Sequence, residues 1–137
     1  TFNFLKTSLL IVMSLFLSSE MKAQVSELDS LERLVETNIP DSLKLKILYQ
    51  LSDIYNNEDI DKGIFYAKKL AEFSQETDNQ LYIGVAYNLL GSCYLNKNYG
   101  LDTVITALET GMKQAEKANS SRLKAVVALS LLLKKDF

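Results

Sequence analysis

The stretch Leu51-Ser-Asp-Ile-Tyr55 returns 39 residues later as Leu90-Gly-Ser-Cys-Tyr94. Leucine falls on leucine, tyrosine on tyrosine, Ser52 on Gly91 and Ile54 on Cys93. A second step of the same length reaches Leu129-Ser-Leu-Leu-Leu133, with Ser130 at the small position. A fixed period of this size marks a chain built from stacked supersecondary units, none of which can bury its apolar face alone. The segments after the first two copies also align, at a shift of 40, pairing Ile64 with Val104, Ala67 with Ala107, Ala71 with Gly111 and Glu76 with Glu116. Each unit therefore reads as one hairpin of two helices.

The spacing inside each unit is helical throughout. Ile47, Leu48, Leu51, Ile54 and Tyr55 form one stripe of period 3.6. Asp41 is expected to cap that helix after the break at Asn38-Ile-Pro40, because the residue before proline avoids the α region. "NNED" (56–59) interrupts it, and a four-residue rhythm resumes at Ile60, Ile64, Ala67 and Ala71. Asp78 is expected to cap the helix carrying Leu81, Val85, Leu89, Leu90 and Tyr94. "NKNYG" (96–100) precedes the helix with Leu101, Val104, Ile105, Leu108, Met112 and Ala115, and Ser120 or Ser121 opens a last helix that is nearly all apolar from Ala125 to Leu133. No segment alternates at period 2, so the fold class is all-α, with turns short enough to make neighbouring helices antiparallel. Ser52, Gly91 and Ser130 supply the small side chain needed where the two helices of a hairpin cross. Ala67, Ala71, Ala107 and Gly111 are expected to let the next helix settle on the second one. Cys93 takes an apolar packing position beside the crossing, where a free cysteine acts as a small hydrophobe.

The pattern Leu-[Ser/Gly]-x-x-Tyr, together with the small residues of each second helix, resembles the tetratricopeptide repeat (TPR) family. The resemblance covers Asp41 to about Lys135 and divides the chain into units at 41–78, 79–119 and an incomplete 120–137. It departs from the family at Gly63 and Thr103, which sit near an alanine position, in lacking a terminal proline, and in a unit nearer 39 than 34 residues. It implies antiparallel hairpins stacked as a short right-handed solenoid, with a binding groove along the first helices. In this sequence the groove residues would be Lys46, Tyr49, Gln50, Asp53 and Asn57 in one unit, and Val85, Asn88, Leu89, Ser92 and Asn96 in the next. That mixture of amides, a tyrosine and aliphatics suits an extended peptide or a partner helix. The implied function is a non-catalytic scaffold that binds a protein or peptide partner.

The N-terminus adds an address. Lys6 precedes "SLLIVMSLFL" (8–17), and polar "SSEMKAQ" follows, which reads as a secretory signal over residues 1–23 with a cut after Ala23. A short leading helix over 24–38 would then begin at a Ser26-x-x-Asp29 capping signal. Export to the periplasm or cell envelope is expected, with membrane tethering if the segment is retained. An export signal ahead of long repeats is similar to the TPR segments that precede sensor kinases or transcription regulators in some bacteria. The alternative reading is accordingly the periplasmic sensory region of a truncated signal-transduction protein, and the opening on Thr1 and the exposed apolar stretch Ala125 to Leu133 both suit a fragment. That stretch would otherwise drive self-association.

Chemistry is sparse. Without histidine there is no Ser–His or Cys–His pair and no ordinary zinc set, and no glycine-rich phosphate loop appears. No cofactor, catalytic residue or metal ligand is assigned, and an enzyme is not expected. Asn57, Asp59 and Asp61 fall at the first three ligand positions of a calcium loop, but Lys62 and Lys68 occupy its glycine and glutamate positions. These carboxylates read instead as caps of the following helix. A net charge of −2 gives no electrostatic footprint for nucleic acid.

Overall fold

The computed structural model describes residues 1–135, and every element among them is helical: α1 (Phe2–Val35), α2 (Asp41–Glu58), α3 (Ile60–Glu76), α4 (Gln80–Asn96), α5 (Leu101–Lys117) and α6 (Ser121–Lys135). The chain divides into two compact units, Thr1–Thr37 and Asn38 onward.

The first unit is α1. It runs without a break through Ala23 and through Ser26, whose carbonyl accepts a hydrogen bond from the Ser30 hydroxyl at 2.8 Å. The expected cap at Ser26 therefore does not form in the intact chain. No glycine or proline lies between Phe2 and Val35, and extending a helix is far less costly than nucleating a new one. Its N-terminal part is fully solvent-exposed and apolar enough, over sufficient length, to cross a membrane. That is compatible with a signal peptide or a membrane anchor.

The second unit is a stack of antiparallel helical hairpins, α2 with α3 and α4 with α5, followed by α6. Its helix ends follow local chemistry and correct two expectations. Asp41 is the first helical residue and not the cap; the chain enters α2 from Pro40, whose carbonyl accepts from Leu43 and Lys44. Asp78 is not the cap of α4 either. It lies in the left-handed region (φ 51°), and Asn79 caps α4 by accepting from the Tyr82 amide at 3.1 Å. The same left-handed conformation recurs after α4 at Asn98 and after α5 at Asn119. In all three turns the next residue's amide reaches back five positions, Asn79 to Ser74, Tyr99 to Tyr94 and Ser120 to Ala115, closing a Schellman motif. Ser120 then caps α6 by accepting from Leu123. The α2–α3 junction differs. Only Asp59 leaves the helix (φ −146°, ψ 92°), its amide donating to Tyr55 at 2.8 Å while its carboxylate accepts from Lys62 at 3.3 Å. The acidic stretch expected to cap the following helix is thus the end of one helix and, through Asp59, the cap of the next.

Cap positions fix the true register of the repeat. Pro40 to Asn79 is the expected 39 residues, but Asp59 to Gly100 and Asn79 to Ser120 are each 41. Burial agrees: Gly63, Tyr66, Ala67, Leu70 and Ser74 of α3 correspond to Val104, Ala107, Leu108, Gly111 and Ala115 of α5, all buried. The shift of 40 was one residue short, and Leu132, not Ser130, stands at the site of Gly91.

The crossings are close. In the first hairpin a Cβ at Gly63 would lie 2.9 Å from the Asn56 amide nitrogen, and the buried Ser52 hydroxyl donates to the Gly63 carbonyl at 2.9 Å. In the second, a Cβ at Gly91 would meet Leu108 at 2.6 Å, and Gly84 and Gly111 bring their backbones together. Gly111 thus serves the contact with α4 of its own hairpin, where α6 was the expected neighbour. Leu51, Ala67, Leu70, Ala86 and Cys93 are sealed from solvent, and Val104, Leu108, Ala115, Leu123 and Val127 continue that core to α6.

Candidate functional site

Three helices occupy the same place in successive units, α2, α4 and α6, and together they line a groove of about 490 Å³. From α2 come Tyr49, Asp53 and Asn56, three positions at helical spacing on one face. From α4 come Leu81, Val85, Asn88 and Ser92 along one row, with Tyr82 and Leu89 beside it. Ser120 and the first turns of α6 add Arg122, Leu123 and Val126. Leu89 and Leu123 are buried at its base, Val85 is half-buried, and Tyr49 and Val126 stand at its open edge.

Polar groups tie the helices together beneath the groove. Asn56 donates through Nδ2 to Ser92 Oγ at 3.1 Å and accepts at Oδ1 from Asn96 Nδ2 at 3.0 Å. This amide, nine per cent exposed, therefore bridges α2 to α4 with both ends of its side chain satisfied. At the next step the Ser130 hydroxyl approaches Asn88 Oδ1 at 3.5 Å. Burial, followed by the nearby Asp53 carboxylate, raises the Tyr49 pKa, with Arg122 pulling the other way. Tyr49 therefore keeps its proton and can donate or accept a hydrogen bond throughout the neutral range.

Of the ten groove residues expected from sequence, Tyr49, Asp53, Val85, Asn88, Leu89 and Ser92 line this groove. Lys46, Gln50 and Asn57 do not; they are exposed on a different strip of α2, turned from the groove by roughly 60–100° at about 100° per residue. Asn96 lies beyond the end of the groove and is held by Asn56. Sequence reasoning chose Asn57 where its neighbour Asn56 faces inward. It also passed over Arg122, because the last helix was read for its apolar run alone. A stripe drawn through Leu45, Leu48, Leu51 and Ser52 as the buried side of α2 would have placed Asn56 correctly.

Cys93 lies apart from this chemistry. It is sealed from solvent, and burial pushes its thiol up to about 11 from an ordinary 9.0. A buried, protonated thiol is a poor nucleophile. Among the described residues no group of three or more histidine, cysteine, aspartate or glutamate side chains could hold a metal ion. The groove combines an apolar floor with amides and hydroxyls along its sides and one cation, Arg122, and one carboxylate, Asp53, among its lining residues. No family model, curated protein or solved structure matches the chain.

Proposed function

We propose that this chain is an exported, non-catalytic module of the tetratricopeptide type that binds a peptide or helix of a partner protein in the groove between α2, α4 and α6. The observation that carries this reading is the convergence of equivalent helices from three successive positions of the repeat on one concave, half-apolar strip. A guest laid across α2 and α4 meets Val85 and Leu89 with its side chains, while Asn88, Ser92 and Tyr49 reach its backbone. Such a mixture, with few charges and a central apolar floor, is typical of sites that fix orientation with a small number of polar groups. Residues 1–23 would direct the module across the membrane or hold it there, consistent with the long apolar α1.

The test is selection of binding peptides from a displayed library by the full chain in non-ionic detergent. Their affinity is then measured against Val85→Glu and Asn88→Ala. A charge at Val85 should weaken binding by about a hundredfold and the lost amide by about tenfold, equivalent to about 3 and 1.4 kcal/mol. Selected peptides that bind both variants as well as the parent chain would end the reading.

A further inference from the structure

Two of the residues lining the groove carry a charge, Asp53 on α2 and Arg122 at the start of α6, and they stand on opposite walls. α4 runs between those walls as the floor, because among the described residues α2 and α6 each pack on α4 and not on one another. Both residues are exposed, and neither forms an ion pair with another described residue. Tyr49 feels both at once: after burial, the Asp53 carboxylate raises its pKa and the Arg122 guanidinium lowers it. A negative pole and a positive pole therefore act across one apolar strip, Val85, Leu89 and Val126.

Helix chemistry alone does not account for Arg122. α2, α3 and α5 each hold an aspartate in the first turn, Asp41, Asp61 and Asp102, the sign that a helix N-terminus favours. α6 has no acid in its first turn and places Arg122 there, one residue before the buried Leu123. A cation at that end works against the helix dipole. Nothing in α6 itself favours it; an anion seated in the groove would.

These charges grade the guests of the groove, on the reading above that it seats a peptide. A wholly apolar segment laid over α4 would strip water from Asp53 and Arg122 and leave both unpaired. A segment with two acids would repel Asp53, and one with two bases would repel Arg122. A segment with one of each, on either side of an apolar stretch, pairs both. Packed helices lie about 8–10 Å apart, which puts the two walls about 16–20 Å apart. An extended chain covers that span in about five or six residues, at ~3.3 Å each. We infer that the groove selects a partner segment of two-signed charge, with a lysine or arginine over Asp53, an aspartate or glutamate over Arg122, and a short apolar stretch between them.

The test selects short random peptides, displayed as a library, on the full chain in non-ionic detergent. The same library is passed over two variants at exposed positions, Arg122→Glu and Asp53→Lys, whose helical signal is checked against the parent chain. Sequences captured by the parent should carry a base and an acid flanking apolar residues, and their binding should weaken with salt. Arg122→Glu should bind them about tenfold less tightly and capture sequences with two bases instead; Asp53→Lys should show the same loss and capture sequences with two acids. The double exchange, Asp53→Arg with Arg122→Asp, should restore most of the parent's binding, because an extended guest can lie in either direction. Captured peptides that lose affinity with Val85→Glu but bind both charge variants as tightly as the parent would overturn this inference and leave the groove a peptide site. Binding that Val85→Glu leaves intact, or capture of no peptide at all, would remove both.

Discussion

Gly63→Ala should destabilise the protein even though it replaces a helix-weakening residue in the middle of a turn of α3. On an open helix surface the change gains about 1 kcal/mol, because alanine restricts the unfolded chain and glycine does not. At this position the added Cβ would stand 2.9 Å from the Asn56 nitrogen, 3.1 Å from its Cα and 3.2 Å from the Tyr55 carbonyl carbon. All three are backbone atoms of α2, so no side chain can turn aside and the two helices must separate. Overpacking of this kind costs about 1–3 kcal/mol. Separation also stretches the 2.9 Å bond from the Ser52 hydroxyl to the Gly63 carbonyl, and leaving those buried groups unpaired adds about 1–3 kcal/mol. After subtracting the propensity gain, the net loss is about 1–5 kcal/mol, which for a unit near 100 residues, at about 4–8 °C per kcal/mol, lowers Tm by roughly 4–40 °C. Thermal unfolding of the full chain in detergent, followed by circular dichroism, measures it. The companion variant Gly91→Ala should lose less, because its nearest obstacle is the Leu108 side chain, with the Leu108 backbone 3.6 Å away. An unchanged or higher Tm for Gly63→Ala, or a larger loss at Gly91, would refute the view that a backbone-to-backbone contact fixes the first crossing.

Two further outcomes follow from single residues. Asn98→Gly should raise stability by about 0.5–1 kcal/mol, since Asn98 holds φ 59° at the end of α4 and glycine adopts that conformation without a Cβ penalty; an unchanged or lower denaturation midpoint would count against it. Cys93 supplies a pH dependence: its folded pKa lies above its unfolded one, so its contribution is complete below about pH 9 and is lost as pH rises from there through 11. The urea midpoint should therefore fall over that window, and Cys93→Ala should flatten the fall; native Cys93 should also label with a thiol reagent far more slowly than unfolded chain at pH 8.

The order of helices was legible because their apolar residues recur at 3.6 and their ends carry turn-forming residues. The caps were harder to read. Asp41, Asp78 and Asn79 are all plausible N-caps by composition, and the choice depends on backbone angles: Asp78 adopts the left-handed turn, so the capping role passes to its neighbour. The register of the later units failed for another reason. Between Ala125 and Leu133 nearly every position is apolar, so Leu129 and Leu131 match Leu90 equally well by identity, and only the cap at Ser120 decides. Likewise the groove strip on α2 was drawn too wide: Tyr49 and Asp53 line the groove, whereas Lys46, Gln50 and Asn57 are equally polar and exposed but lie off it.

Asp59 deserves comparison with the other turns in terms of cooperativity. It closes α2 through its amide, caps α3 through its carboxylate and offers its carbonyl to the Gly63 amide at 2.9 Å. A joint of one residue has no slack in which one helix end can fray while the other stays formed. The last turn of α2 and the first turn of α3 must open together, so the first hairpin behaves as a single block in local unfolding. The four-residue turn from Lys97 to Gly100 lets α4 and α5 loosen separately at that end. Rigidity is thus graded along the stack, highest at the α2–α3 joint and lower at the turns beyond it.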